Sequence, residues 1–221
     1  MKKRLWLICG VVAASAGQAS ATLLAEESFA YSTGSIVGAN GGTGWGGKWE
    51  PQNDAPYPVV SGSLSHGGIL SAGNSLGGGS SYTSIGRPLN TSYQGVFESA
   101  GLVSDPWTNK LIDQGVLYTS ALVKRLKNED YELRFGSSNI SWFDQGAVKV
   151  TASGGNWNLV VNGIATSSGI AASLNETFLI VVKHSFGTGE VKLWVNPFLG
   201  GSDPVGGVSA TGSGLGFKAF G

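Results

Sequence analysis

The chain almost lacks cysteine: of 221 residues only Cys9 is one. That excludes disulfide staples and thiolate metal centres for everything beyond the first segment. Charge is also scarce, at 13% of residues, and the two histidines, His66 and His184, stand far apart. No Lys/Arg run occurs after Lys124-Arg125. A nucleic-acid or anionic-membrane footprint needs clustered basic residues, so neither partner is expected. Sustained helical periodicity is missing too. What is abundant is glycine, 36 residues, together with Ser, Asn and Thr. Such an uncharged polar surface suits neutral ligands such as glycans, or no ligand at all.

The first segment reads as an export leader. Lys2, Lys3 and Arg4 form a basic start, residues 5–16 are apolar, and Ala19-Ser-Ala21 is a small-residue cleavage pattern. The apolar run is too short to anchor a helix across a bilayer. Residues 1–21 are therefore expected to be a signal peptide, and 22–221 a single domain of 200 residues, long enough to bury a core without disulfides. Cleavage would remove three of the 14 basic residues and none of the 14 acidic ones, leaving 11 against 14, a net charge of −3. The expected location is secreted or cell-surface, extracellular or periplasmic, with no membrane span remaining.

Apolar residues fall in short runs separated by Gly, Ser and Asn, the pattern of an all-β chain. The clearest case lies near the end. Residues 178–182 form a continuous apolar run, a strand buried on both faces. A Gly187-Thr-Gly189 turn follows, and then an alternating strand with Val191, Leu193 and Val195 on one side and Lys192, Trp194 and Asn196 on the other, wet side. Further strands are expected at 23–31, 58–64, 69–71, 82–89, 115–126, 130–136, 140–143, 147–151, 156–162 and 215–220. Asn162-Gly163 is a strong hairpin signal, because both residues tolerate positive φ. The glycine-rich stretches 73–81 and 200–214 read as surface loops, and Asp105-Pro106 as the start of a short helix through 112. About a dozen short strands in one domain imply two packed sheets.

Two stretches carry a resemblance. Glu27, Phe29, Tyr31, Gly34 and Ile36 lead into Asn40-Gly-Gly-Thr-Gly-Trp45-Gly-Gly-Lys-Trp49, and Val191-Lys-Leu-Trp-Val-Asn-Pro197 stands near the other end. Together they resemble the concanavalin A-like lectin/glucanase (LamG-like) domain of secreted bacterial proteins of the PEP-CTERM type. The resemblance implies an all-β, two-sheet antiparallel jelly-roll sandwich with one concave and one convex sheet. The sorting tail does not appear in this sequence, nor does the family's final strand of the Phe-Asp-Glu-Ile-Arg-Ile type, so the expected sandwich lacks a closing strand.

Hydrolases of this fold carry three carboxylates two residues apart on one strand, because side chains at i, i+2 and i+4 share a face and retaining hydrolysis needs paired acids. Here Asp130 and Glu132 share a face, but Arg134 occupies the third position and Glu129 points the other way. The histidine-, arginine- and tyrosine-rich strands of lyases are absent, and His184 reads as a hydrogen-bonded core residue. No catalytic residues and no cofactor are assigned; calcium would find only Asn53, Asp54 and Asp203 as loop ligands. Sugar binding instead uses an aromatic platform with polar groups beside it. Trp45 and Trp49 read as plugs at one end of the sandwich and Trp157 as core. Trp194, flanked by Lys192 and Asn196, is the candidate platform if its face is the concave one, with Glu132 and Arg134 lining the same sheet and Trp107 overhanging it; if that face packs under a loop, Trp194 is a core lid. The expected function is a non-catalytic lectin-like module that binds polysaccharide or a cell-surface glycan. The alternatives are a glycoside hydrolase or lyase of the same fold, and a structural surface protein without a ligand.

Overall fold

The computed structural model describes residues 7–13, 22–51, 57–77, 84–138, 146–198 and 203–221. The protein is all-β, and its two main sheets are antiparallel throughout. The first sheet contains β1 (Leu7–Ala13), β2 (Thr22–Glu27), β10 (Val116–Lys124), β15 (Thr177–Ser185), β16 (Glu190–Val195) and β17 (Val208–Thr211), in the spatial order β17-β16-β15-β10-β1-β2. The second contains β4 (Glu50–Pro51), β9 (Ile85–Pro88), β11 (Glu132–Gly136), β12 (Val148–Ser153), β13 (Asn156–Val161), β14 (Ile164–Ala171) and β18 (Ala219–Phe220), in the order β14-β13-β12-β11-β18-β9-β4. Small ladders join β3 (Gly34–Ser35), β5 (Pro58–Val60) and β8 (Ser75–Leu76), and β6 (Ser65–His66) to β7 (Ile69–Leu70). Among the described residues the sole helix is the single turn α1 (Val96–Ser99).

Alternation decides which side chains meet between the sheets. Leu117, Ala121 and Val123 of β10, Phe178, Ile180 and Val182 of β15, and Val191, Leu193 and Val195 of β16 face inward. They share one core with Leu133, Phe135, Val148, Val150, Trp157, Leu159 and Phe220 of the opposite sheet. The run 178–182 is buried on both faces, as its composition implies: Leu179 and Val181 point outward into a second cluster with Leu64, Leu122 and Trp194. The β6–β7 hairpin lies over that outer face, where the ring Nδ1 of His66 is 2.9 Å from the Thr177 carbonyl oxygen. The turns follow their chemistry. Asn162 and Gly163 adopt φ of +49° and +82° between β13 and β14, the positive pair that a two-residue hairpin requires.

Several expectations are corrected. The segment 105–112 is not helical; a turn around Asp105 occupies it. The glycine-rich stretches contain β8 and β17. The alternating strand β16 has no wet face at Trp194, which is buried. The edge strand β14 had no sequence signal, because its side chains are largely exposed on both faces. The expected strand 140–143, with Trp142, and the loop pair Asn53 and Asp54 lie outside the described residues. Leu7–Ala13, inside the expected leader, forms an interior strand between β2 and β10.

A buried ion pair spans the two sheets. Glu27 at the end of β2 and Arg87 in β9 meet at 2.7 Å, each only 1% exposed. The carboxylate also accepts the Phe29 N–H at 2.8 Å, the Tyr31 hydroxyl at 2.8 Å and the Trp49 indole N–H at 3.0 Å. Arg87 also donates to the Gly47 carbonyl at 2.7 Å, the Asn40 side-chain oxygen at 2.7 Å and the Tyr31 hydroxyl at 3.4 Å, and its guanidinium lies over the Trp45 ring. The glycine-tryptophan motif thus folds around a charge pair. Phe29, at φ +52°, turns the chain sharply out of the strand to reach it, which ends β2 at Glu27.

His184 is buried inside a ring of aromatics, with centroids 4.6 Å from Phe135, 4.9 Å from Phe217 and 5.7 Å from Phe186. It is not the hydrogen-bonded histidine expected: neither ring nitrogen has a partner. Burial drives its pKa from 6.5 down to about 3. The unfolded chain therefore binds a proton that the folded chain refuses between those values, so stability must fall as pH drops from 6.5 towards 3. The maximum contribution is about 5 kcal/mol at 1.36 kcal/mol per pH unit. Urea unfolding at stepped pH should show that wild type loses more stability over this window than His184→Leu does. Parallel curves for the two proteins would refute the buried neutral histidine.

Candidate ligand-binding site

The residues expected to form one platform occupy three separate places. Trp194 projects from the outer face of β16 but is only 2% exposed. Residues 203–207 strap it down. The Pro204 carbonyl accepts the indole N–H at 3.0 Å, and Lys192 covers the ring with its ammonium 5.0 Å from the centroid. Gly207, at φ +81°, packs so closely that a Cβ there would lie 2.7 Å from the indole. Asp203 fastens the strap, bonding the Tyr118 hydroxyl and the Lys183 ammonium. It is a strap anchor here. Asn196, at φ +53°, turns its side-chain oxygen back to accept the Leu179 N–H at 2.8 Å. Trp194 therefore has no ring face to offer a sugar. A cavity of about 250 Å³ touches its edge, rimmed by Ile170, Phe198 and Val205; that is smaller than most ligand pockets.

Glu132 and Arg134 do not line the same sheet. They lie on β11 of the opposite sheet, and their neighbours Leu133 and Phe135 fill the core. The Trp194 group and the Glu132–Arg134 pair therefore face away from each other across the sandwich. Glu132 is held by Arg134 on one oxygen and by Lys149 at 2.7 Å on the other. Partial burial pushes its carboxyl upward, but hydrogen bonds from Lys149 and Arg134 outweigh this and leave it below the usual glutamate range. A glycosidase acid needs the reverse shift, a carboxyl kept protonated near neutral pH. Among the described residues, no three His, Cys, Asp or Glu side chains come together as a metal site.

Trp107 is the exposed member of the set, at 68%. It stacks on Tyr93, itself 50% exposed, with centroids 4.3 Å apart and planes 23° from parallel. The turn beneath is fixed by one side chain. Asp105 accepts the backbone N–H groups of Trp107 at 3.1 Å, Thr108 at 2.9 Å and Asn109 at 3.3 Å, and its own carbonyl accepts from Lys110 N–H at 2.8 Å. These bonds, that from Thr108 foremost, hold the Asp105 carboxyl below the usual aspartate range. Below the turn, Val103 bridges Ile112 and Ile112 bridges Phe217, so the loop grows from the core. Tyr93 stands on a second tight turn, where Gln94 has φ +62° and Gly95 donates to the Ser92 carbonyl. Two exposed aromatics thus form a ledge at one end of the sandwich, with Asp105, Asn109, Lys110 and Gln94 on the same two turns.

Tyr93 was missed by the sequence reading, as was the Glu27–Arg87 pair. An aromatic amid polar turn residues, Thr91-Ser-Tyr-Gln-Gly95, is the signal that marks Tyr93, and Asp105-Pro-Trp107 repeats it. No protein-family model, no curated protein and no solved structure matches the chain.

Trp194→Ala tests its placement. Removing a buried tryptophan should lower unfolding stability by about 3–5 kcal/mol, read as an earlier urea midpoint. A loss under about 1 kcal/mol would mean that the strap does not bury the ring in solution.

Proposed function

We propose that the protein is a secreted, non-catalytic lectin-like module that binds polysaccharide or a cell-surface glycan through the Trp107–Tyr93 ledge. The observation that carries this reading is a pair of stacked, exposed aromatic rings on hydrogen-bonded turns. A pyranose presents an apolar C–H face to such a ring, while amide and carboxyl groups beside it bond the hydroxyls. A prefixed ring loses little entropy on binding. The low charge of the chain suits a neutral ligand. The two-sheet architecture supports the resemblance to concanavalin A-like domains, in which a jelly-roll connectivity is the further expectation. The lowered carboxyl of Glu132 and its double engagement weigh against the hydrolase alternative.

A glycan array with wild type, Trp107→Ala and Tyr93→Ala tests this reading. Wild type should bind at least one polysaccharide class. Trp107→Ala should weaken it tenfold or more, equivalent to about 1.4 kcal/mol, with the thermal midpoint unchanged because the ring is exposed. No bound glycan would leave the structural-protein reading in its place, and binding unaltered by Trp107→Ala would show that the ledge is not the site.

A further inference from the structure

One strand of the first sheet has two incompatible descriptions. Leu7–Ala13 pairs with β10 over seven residues, Leu7↔Val123 to Ala13↔Leu117, and with β2 over five, Cys9↔Glu27 to Ala13↔Thr22. It is an interior strand. The same residues are the apolar run of the segment that reads as an export leader. A cleaved leader cannot stay covalently in the sheet, and β2 and β10 do not pair with each other. They stand two ladder spacings apart, roughly 9.6 Å, too far to bond directly.

Both walls of this slot are held from outside it. β10 keeps its nine-residue ladder with β15. β2 is tied to the 42–45 loop: Glu26 and Thr43 exchange backbone bonds at 3.0 and 3.1 Å, and the Trp45 indole donates to the Glu26 carbonyl at 2.9 Å. The loop is so close that a Cβ on Gly44 would lie 2.0 Å from the Leu24 carbonyl oxygen. Glu27 adds the buried bond to Arg87 in the other sheet. Removing the strand between them leaves two sets of unpaired backbone groups that cannot readily close on each other.

We propose that the channel between β2 and β10 is a strand-acceptor site, filled by Leu7–Ala13 in the precursor and open to an uncharged, apolar β-strand of another polypeptide once the leader is removed. This rests on the leader reading and is independent of the glycan ledge. The apolar requirement follows from the β10 wall; on the β2 wall the charged residues are Glu26, which is exposed, and Glu27, which is paired with Arg87. Residues 116–123 of β10 carry no charge, with Leu117, Ala121 and Val123 on the core side and Tyr118 and Leu122 on the outer side. The occupant must be about seven residues long, extended and free of proline, since each residue on a ladder position needs its N–H.

The full chain tests the idea, with a site-specific protease sequence inserted between Ala21 and Thr22 and cut after folding. The released 1–21 fragment should remain bound under native conditions, and amides of β10 and β2 should stay protected from exchange. Displaced in mild denaturant, it should be replaced by a fluorescent peptide of the Leu7–Ala13 sequence carrying lysine tags. The same peptide with proline for Gly10 should bind at least tenfold more weakly. If release unfolds the chain, the native peptide should restore the fold and the proline peptide should not. The proposal fails if the fragment leaves while residues 117–123 remain protected, if the native peptide does not bind or restore the fold, or if the proline peptide binds equally well.

Discussion

A single carboxylate holds the two layers of this protein in relation to each other. Glu27 ends an edge-side strand of one sheet and Arg87 lies in the other, so their contact closes one flank of the sandwich. Two charges out of water are costly, and only full hydrogen bonding offsets that cost. The structure meets the requirement from both sides. Glu27 receives one backbone N–H, a phenol, an indole and a guanidinium, while Arg87 also donates to Gly47, Asn40 and the Tyr31 hydroxyl. Nearly every donor comes from the 29–49 loop or its ends. A glycine-rich segment with little intrinsic preference for one conformation is thereby given one.

That clasp separates framework from display. The flank at Glu27 and the strap across Trp194 are closed surfaces, in which indole N–H groups are spent on internal acceptors. Tyr93 and Trp107 are the contrary case. Their turns are as well bonded as the strap, yet the rings stack on each other and face solvent. Trp49 and Trp194 stabilise the fold by being covered; Trp107 gains its role in the proposed function by being left open on a rigid support.

Patterns of short range were legible in the sequence. The apolar run 178–182, the inward set Val191, Leu193 and Val195 of β16 and the Asn162-Gly163 turn all express local rules of pleat and dihedral preference, and each lies where expected. Contacts between distant residues were not legible. Arg87 is 60 positions from Glu27, and nothing near it announces a partner. Trp194 was balanced between platform and lid, and the deciding residues, Asp203, Pro204 and Gly207, sit in a stretch that reads only as loop. The grouping of Trp194 with Glu132 failed for a related reason: alternation assigns a face to each strand but does not say to which sheet a strand belongs. Strand β14 escaped because an edge strand exposed on both faces has no alternation to show.

The most direct measurement is a double-mutant cycle on the clasp, with Glu27→Gln, Arg87→Met and the double variant compared with wild type by urea unfolding. The account predicts that each single change costs about 3–5 kcal/mol, because each leaves a buried polar partner unsatisfied. It also predicts that the double variant costs at least about 2 kcal/mol less than the sum of the two. Single-variant losses that add to within about 0.5 kcal/mol, the behaviour of independent sites, would show that the two sheets are not joined through this pair.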